Sequence, residues 1–394
     1  MKKKLFLVLV AAALTLSACG NKEVTSESVS ESVSAEASVS VSESVPEKEV
    51  VEVLEPTEAP VEEEEVDEVR EGMYRSELTN EWIDESLKDQ RPIAVMVDNE
   101  SKALPHYGLN SADIVYELMN STANGRITRL MAIVKDWDNL KQFGSVRSAR
   151  PTNFLLAAEY NAILIHDGGP FYINDWIAKD YTNNLSGGFA RFSNGKAQEF
   201  TEYVTSESYT NTEKGKTYAG LGDRIDAAKY TRTYNEYAQG NHFTFSNKTQ
   251  KLDETNEIYA YVDGVKLPYP HNSTELKYNE ETTSYDYYVY GDKHIDPLDD
   301  NKIMSFENVI ILDVTYNQLD ENGYLIYNVI SEGAGYYLSN GVLIPMYWYK
   351  PGENNIMQFQ DFNTKEPLAL NTGKTYITLC PHDVWDDVEY IYHQ

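Results

Sequence analysis

Phe143-Gly144-Ser145-Val146-Arg147-Ser148-Ala149-Arg150-Pro151, followed by Ala162-Ile163-Leu164-Ile165-His166-Asp167-Gly168-Gly169, concentrates two arginines and a histidine beside two strand-length runs. Residues 142–146 read as a short strand, and Pro151 suits the first turn of a helix reaching 160. Residues 162–165 form an apolar run of buried-strand length. This strand-helix-strand unit places Arg147 and His166 at the carboxyl ends of two neighbouring parallel strands, beside a helix N-terminus. Open α/β sheets bind ligands at that edge.

Working outward, the apolar run 93–97 ends in Asp98-Asn99 and reads as a buried first strand that delivers Asp98 to the same edge. Ser111 is placed to cap a helix whose Ile114, Val115, Leu118 and Met119 form one stripe. Residues 127–134 read as a strand, joined by a short polar connection to 142–146 as an antiparallel hairpin. Side-chain alternation puts Arg126 and Thr128 on one face and Arg129 on the other. The four arginines 126, 129, 147 and 150 then create a local positive field in an acidic chain. Guanidinium forks match phosphate and carboxylate oxygens. The candidate anion site is therefore Asp98, Arg129, Arg147, Arg150 and His166, with Arg147 and Arg150, helped by Arg129 and the helix N-terminus, holding the oxyanion.

These residues also carry a family resemblance. Ile93-Ala94-Val95-Met96-Val97-Asp98-Asn99, Gly108-Leu109-Asn110-Ser111-Ala112-Asp113-Ile114-Val115-Tyr116-Glu117, Thr128-Arg129 and Val146-Arg147-Ser148-Ala149-Arg150-Pro151 resemble the N-terminal half of the YerB-like lipoproteins, a Firmicute family of unassigned biochemical role. Met346-Tyr347-Trp348-Tyr349-Lys350 and Asn371-Thr372-Gly373-Lys374-Thr375-Tyr376-Ile377 resemble its C-terminal half. One difference follows Arg191: Gln198-Glu199-Phe200 stands where the family has a Pro-His-Asn-like tripeptide, so the histidine that the resemblance implies there is absent.

At the start of the chain, Lys2-Lys3-Lys4, an apolar run over 5–14 and Leu16-Ser17-Ala18-Cys19 make a secretory signal of residues 1–19 ending in a lipobox. The run is too short to span ~30 Å of hydrocarbon. Lipidation of Cys19 would anchor the protein at the outer face of the cytoplasmic membrane. Residues 20–75 carry 17 acidic and 4 basic side chains in Ser, Glu and Val-rich sequence, and read as a disordered acidic tether. Only Cys380 remains besides Cys19, so no intramolecular disulfide is available and the fold rests on its core.

From residue 241 the period changes to two, with strands separated by turn clusters, of which Asp320-Glu321-Asn322-Gly323 is the clearest hairpin turn. The fold class expected is α+β or α/β: an N-terminal mixed-sheet α/β domain over 76–240, then a mostly antiparallel β domain over 241–394. The net charge of −30 and pI near 4.5 argue against nucleic acid.

Gly373-Lys374-Thr375 lacks the first glycine of a phosphate-binding loop, since residue 368 is leucine. Gly-x-Ser-x-Gly and zinc-ligand spacings are absent, and no cofactor is called for. Acidic side chains at 98, 113 and 167 suit oxygen-liganded Ca²⁺ or Mg²⁺ chemically, but an acidic surface explains them without a metal. The leading reading is a non-catalytic, membrane-tethered protein that binds an envelope protein or an anionic glycopolymer. Its alternatives are a metal-assisted enzyme on a phosphate-containing envelope substrate, with Asp98 holding metal and His166 as acid or base, and a structural scaffold.

Overall fold

The computed structural model describes residues 69–393. The signal segment, Cys19 and residues 20–68 of the expected tether lie outside them. Residues 69–75 of that same segment are described, and Met73–Arg75 pairs antiparallel with Trp82–Asp84. The Arg75 guanidinium lies 4.4 Å from the centre of the Trp82 ring.

One mixed sheet organises the rest. Its first-half strands are β1 (Ile93–Asp98), β2 (Ile114–Met119), β3 (Thr128–Val134), β4 (Ile163–His166) and β5 (Asn183–Ser186), with helix α1 (Pro151–Glu159) between β3 and β4. The second half adds β6 (Ala260–Lys266), β7 (Glu275–Asn279), β8 (Ser284–Val289), β9 (Asn308–Val314), β10 (Glu332–Ser339), β11 (Val342–Tyr349), β12 (Gln358–Asp361) and β13 (Thr375–Pro381). In space the order is β8-β7-β6-β11-β10-β9-β13-β2-β3-β1-β4-β5, with β12 paired to β11. The second half is antiparallel along its own path until β13, which runs parallel to both β9 and β2. In the first half β1, β4 and β5 are mutually parallel neighbours, while β3 is antiparallel to β1 and β2.

The run expected as a helix after Ser111 is instead β2, preceded by a single 3-10 turn at Leu109–Ser111. All six of its residues are buried. A central strand covered on both faces is largely apolar without alternation, so Ile114, Val115, Leu118 and Met119 satisfy a helical stripe and a buried strand equally. The expected hairpin between β3 and 142–146 is also absent. Both edges of β3 are taken by β1 and β2, and only Phe143–Gly144 is a strand, paired with Glu202–Val204. Residues 145–147 run beside the end of β1 instead, with the Asp98 amide donating to Ser145 O and the Arg147 amide to Met96 O, each at 3.0 Å. Cys380 is buried in β13.

A buried ion pair ties α1 to the end of β11. Glu159 Oε1 lies 3.0 Å from Lys350 Nζ, and Glu159 Oε2 lies 2.6 Å from His242 Nε2, all three side chains being essentially closed to solvent. Burial alone would push the Glu159 carboxyl up. The Lys350 charge and the His242 hydrogen bond outweigh that and hold it below its ordinary value. Lys350→Met therefore strands a buried carboxylate and should cost about 3–5 kcal/mol in denaturant unfolding, whereas adding Glu159→Leu should recover most of the loss. A double variant no more stable than the single one would show that the pair is not what holds this region.

Candidate anion site

β1 and β4 pair in parallel over Ile93↔Ile163 to Val95↔Ile165, and then the chain of Arg147 enters between their ends. The Arg147 amide donates to Met96 O on one side, and its carbonyl accepts from the Asp167 amide on the other, both at 3.0 Å. The splayed strand ends thus hold residue 147 by its backbone, and three residues later α1 begins. Thr152 Oγ1 accepts the Tyr327 amide at 2.9 Å, and Asn153 Oδ1 accepts the Arg150 amide at 2.7 Å, fixing the first turn.

Four of the five expected residues meet at this edge. Asp98, 3% exposed, is opposite Arg129 in the β1/β3 register. Its Oδ2 lies 2.7 Å from Arg147 Nε. Arg129 Nη1 donates to Ser148 O at 2.7 Å. Arg150 Nη1 donates to Ala149 O at 3.0 Å, and its guanidinium lies 4.3 Å from the Tyr324 ring centre. Burial, with the charge of Arg150 second, lowers Arg129 to about 9, and burial lowers Arg150 to about 10. Both stay cationic at neutral pH.

Asp98 pairs with Arg147 and its charge also reaches Arg129, whereas Arg150 feels Tyr324 and Asp320 instead. At the rim, Glu199 Oε2 lies 3.3 Å from Arg147 Nη1, with its side chain half exposed. Arg129 Nε, Arg150 Nε and Asn153 Nδ2 are buried donors with no acceptor among the described residues. Buried polar groups are almost always paired, so a cluster of unmatched donors is a place for an acceptor-rich ligand.

His166 is engaged elsewhere. Its Nδ1 lies 2.8 Å from Gly168 O, its Nε2 lies 3.2 Å from Asn184 Oδ1, and its ring packs edge-on to Phe154. The fourth arginine of the expected field, Arg126, forks onto Asp383 with contacts of 3.1 and 2.7 Å. The carboxylates weighed as metal ligands are engaged separately: Asp98 with Arg147, Asp113 with the Lys135 amide and Asp167 with Arg191. Asn153, at the third position of the expected helix, joins the site without any signal of its own in the sequence. Glu199 arrives from 52 residues away in sequence, and no local pattern announces it.

Residues 78–231 match the family described as "Protein of unknown function (DUF3048) N-terminal domain", and residues 265–377 match its C-terminal domain. The chain belongs to the DUF3048 family. It is 26% identical over 315 residues to "Putative lipoprotein YerB" of Bacillus subtilis (strain 168), a match covering 78% of this chain and 86% of that relative. Its fold resembles the crystal structure of the YerB protein from Bacillus subtilis with a TM-score of 0.63 and 21% identity, over 80% of this chain and 99% of that one. The fold is α+β, as expected. In this DUF3048 chain Gln198–Phe200 forms a 3-10 turn, with Gln198 O accepting from Arg191 Nη1 at 2.7 Å. The turn brings Glu199 to Arg147 and sets the Phe200 ring centre 5.7 Å from the guanidinium.

Behind the site, His106 Nε2 contacts Asp98 O, and His106 Nδ1 lies 2.8 Å from His294 Nε2. Burial lowers His106 to about 4, and burial with the neighbouring His106 lowers His294 to about 3. The unfolded chain takes up protons near pH 6.5, which the folded chain refuses until about pH 4 and 3. Stability should therefore fall as pH drops through that window, by up to ~1.4 kcal/mol per pH unit for each histidine. His106→Phe should flatten the slope in urea unfolding measured from pH 7 to 4, and an unchanged slope would remove the pair as its source.

Proposed function

We propose that this chain is a lipid-anchored, extracytoplasmic protein that binds an anionic ligand of the cell envelope at Arg129, Arg147 and Arg150. The excess of buried, acceptor-less donors at this edge carries the reading. Phosphate or carboxylate oxygens would satisfy Arg129 Nε, Arg150 Nε and Asn153 Nδ2 together, and would offset the mutual repulsion of the guanidiniums. The three arginines do not carry equal parts. Arg147 is already committed to Asp98, so it positions the site. Arg150 contacts only a carbonyl and an aromatic ring among its described partners, which leaves its fork to the ligand.

Membrane anchoring rests on the lipobox at Cys19 and on the likeness to a relative named as a lipoprotein. No helix among the described residues is long and apolar enough to cross a membrane. Cys19→Ala should move the protein from the membrane pellet to the soluble fraction without changing the melting temperature of the folded body; full retention after a salt wash would mean another anchor.

Binding is tested by the melting temperature of the native protein with phosphate, pyrophosphate and wall glycopolymer fragments. A ligand-dependent rise is expected, and Arg150→Ala should weaken the ligand roughly 10- to 150-fold, the equivalent of about 1.5–3 kcal/mol for one charge-assisted contact. Arg150→Lys should recover part, having the charge without the fork. Arg147→Ala should instead cost about 3–5 kcal/mol of stability, because it strands Asp98. No anion-induced rise in the native protein, with Arg150→Ala as destabilising as Arg147→Ala, would make the cluster part of the fold and nothing more.

A further inference from the structure

A second cavity, remote from the arginines in its lining, has a different chemistry. It encloses about 300 Å³ between residues 239–244 and the segment from Ile356 to Leu368. That is the lower end of the ~300–1,000 Å³ range of small-molecule pockets. Although the protein carries a formal charge of −30, this cavity is lined by no charged side chain. Gln239, Asn241, Gln358 and Gln360 line it together with Phe243 and Phe359; Gln358 Oε1 accepts from the Tyr349 hydroxyl at 2.7 Å and Gln239 Nε2 donates to Tyr237 O at 3.2 Å, each amide keeping its other atom for a ligand. The two phenylalanine rings stack with centres 6.0 Å apart and planes 19° apart.

His242 completes the lining, and its position is built from below. Nε2 is held 2.6 Å from Glu159 Oε2, and the Tyr160 ring stacks on the imidazole at 4.3 Å. A carboxylate only accepts hydrogen bonds, so Nε2 carries a hydrogen, and in the neutral ring Nδ1 presents a lone pair. That Nδ1 is buried and has no hydrogen-bond partner among the described residues. The Glu159–Lys350 pair fixes the carboxylate in turn.

We infer that this cavity binds a neutral saccharide, with one hydroxyl donating to His242 Nδ1. A sugar hydroxyl both donates and accepts, as a side-chain amide does, so four amides match a ring of hydroxyls without introducing charge. The largely buried Phe243 and Phe359 give the cavity an apolar wall against which the C–H groups of a sugar would pack. An anion finds no cation here, and a peptide would need an extended edge with free backbone groups, whereas β12 is already paired to β11 on one side and bridged at Gln360↔Pro367 on the other.

The test titrates the full-length chain, labelled with ¹⁵N-histidine, with N,N′-diacetylchitobiose, maltose, glucose 6-phosphate and triglycine, up to ~10 mM to reveal a Kd of ~1 mM. A saturable shift of the His242 Nδ1 resonance with a neutral disaccharide is expected. Gln360→Leu combined with Asn241→Leu, both outside the Glu159 cluster, should weaken binding about 10-fold, or ~1.4 kcal/mol. Arg150→Ala should leave it unchanged, which separates this site from the anion site. The inference is overturned by the absence of saturation with both neutral sugars, by binding that survives the double leucine variant, or by preference for glucose 6-phosphate or triglycine over the neutral disaccharides.

Discussion

The fold depends on β13 being hydrogen-bonded in parallel to strands from both halves of the sequence. Thr375 to Pro381 pairs with Asn308 to Val314 on one edge, and Thr375 to Leu379 pairs with Ile114 to Leu118 on the other. Every residue of β13 is buried. Its pairing with β2 spans more than 250 residues of sequence. Such non-local pairing carries a loop-closure cost that local structure cannot offset, so the side chains across this joint must specify it tightly.

Glu117 supplies that specification. It sits at 0% exposure in β2, opposite Thr378 of β13. Its Oε1 accepts from Thr128 at 2.6 Å, Thr274 at 2.8 Å and Asn99 at 3.2 Å; its Oε2 accepts from Tyr376 at 2.6 Å and Tyr287 at 2.9 Å. Burial pushes its carboxyl above the ordinary range, and the hydrogen bonds work against that shift. Three donors come from the second half of the chain and two from the first. A one-residue slip of β13 would turn Tyr376 away and leave a buried carboxylate short of a partner, so the network fixes register as well as contributing stability.

What the sequence reveals and conceals follows from this arrangement. Strands β1 and β4 and helix α1 are legible because each carries a local signal: an apolar run ended by Asp98-Asn99, another ended by His166-Asp167, and a proline at the helix start. β2 is not, because a strand buried on both faces loses the alternation that distinguishes it from a helix. The partners of β3 are not legible either, since pairing is decided by which edges remain free in three dimensions. The site divides the same way. Asp98, Arg129, Arg147 and Arg150 were traceable as charged residues at a predicted sheet edge, but which guanidinium is committed depends on distances no pattern encodes. Glu117 was visible within the family-like run 108–117, yet as one acidic residue in an apolar run it gave no sign of the five donors assembled around it.

The uneven commitment of the arginines is also the argument against reading them as scaffold alone. Compare Glu117, where the fold places a charged group in the interior and surrounds it with five donors, and Glu159, which receives Lys350, His242 and the Met357 amide. In both cases the buried group is matched by the protein. At the end of β1 the same protein buries Arg129 and Arg150 beside one another, lowers both by desolvation, and supplies one buried carboxylate that Arg147 already takes. Removing charge or adding a second acid would relieve this at no cost to β1, whose backbone bonds are independent of the side chains. Arg91, equally buried and likewise without a carboxylate, is met by Asn161 O, Asn183 Oδ1 and Thr231 O, whereas among the described residues Arg129 and Arg150 each have one backbone carbonyl, and that contrast is why a bound anion is proposed at this edge.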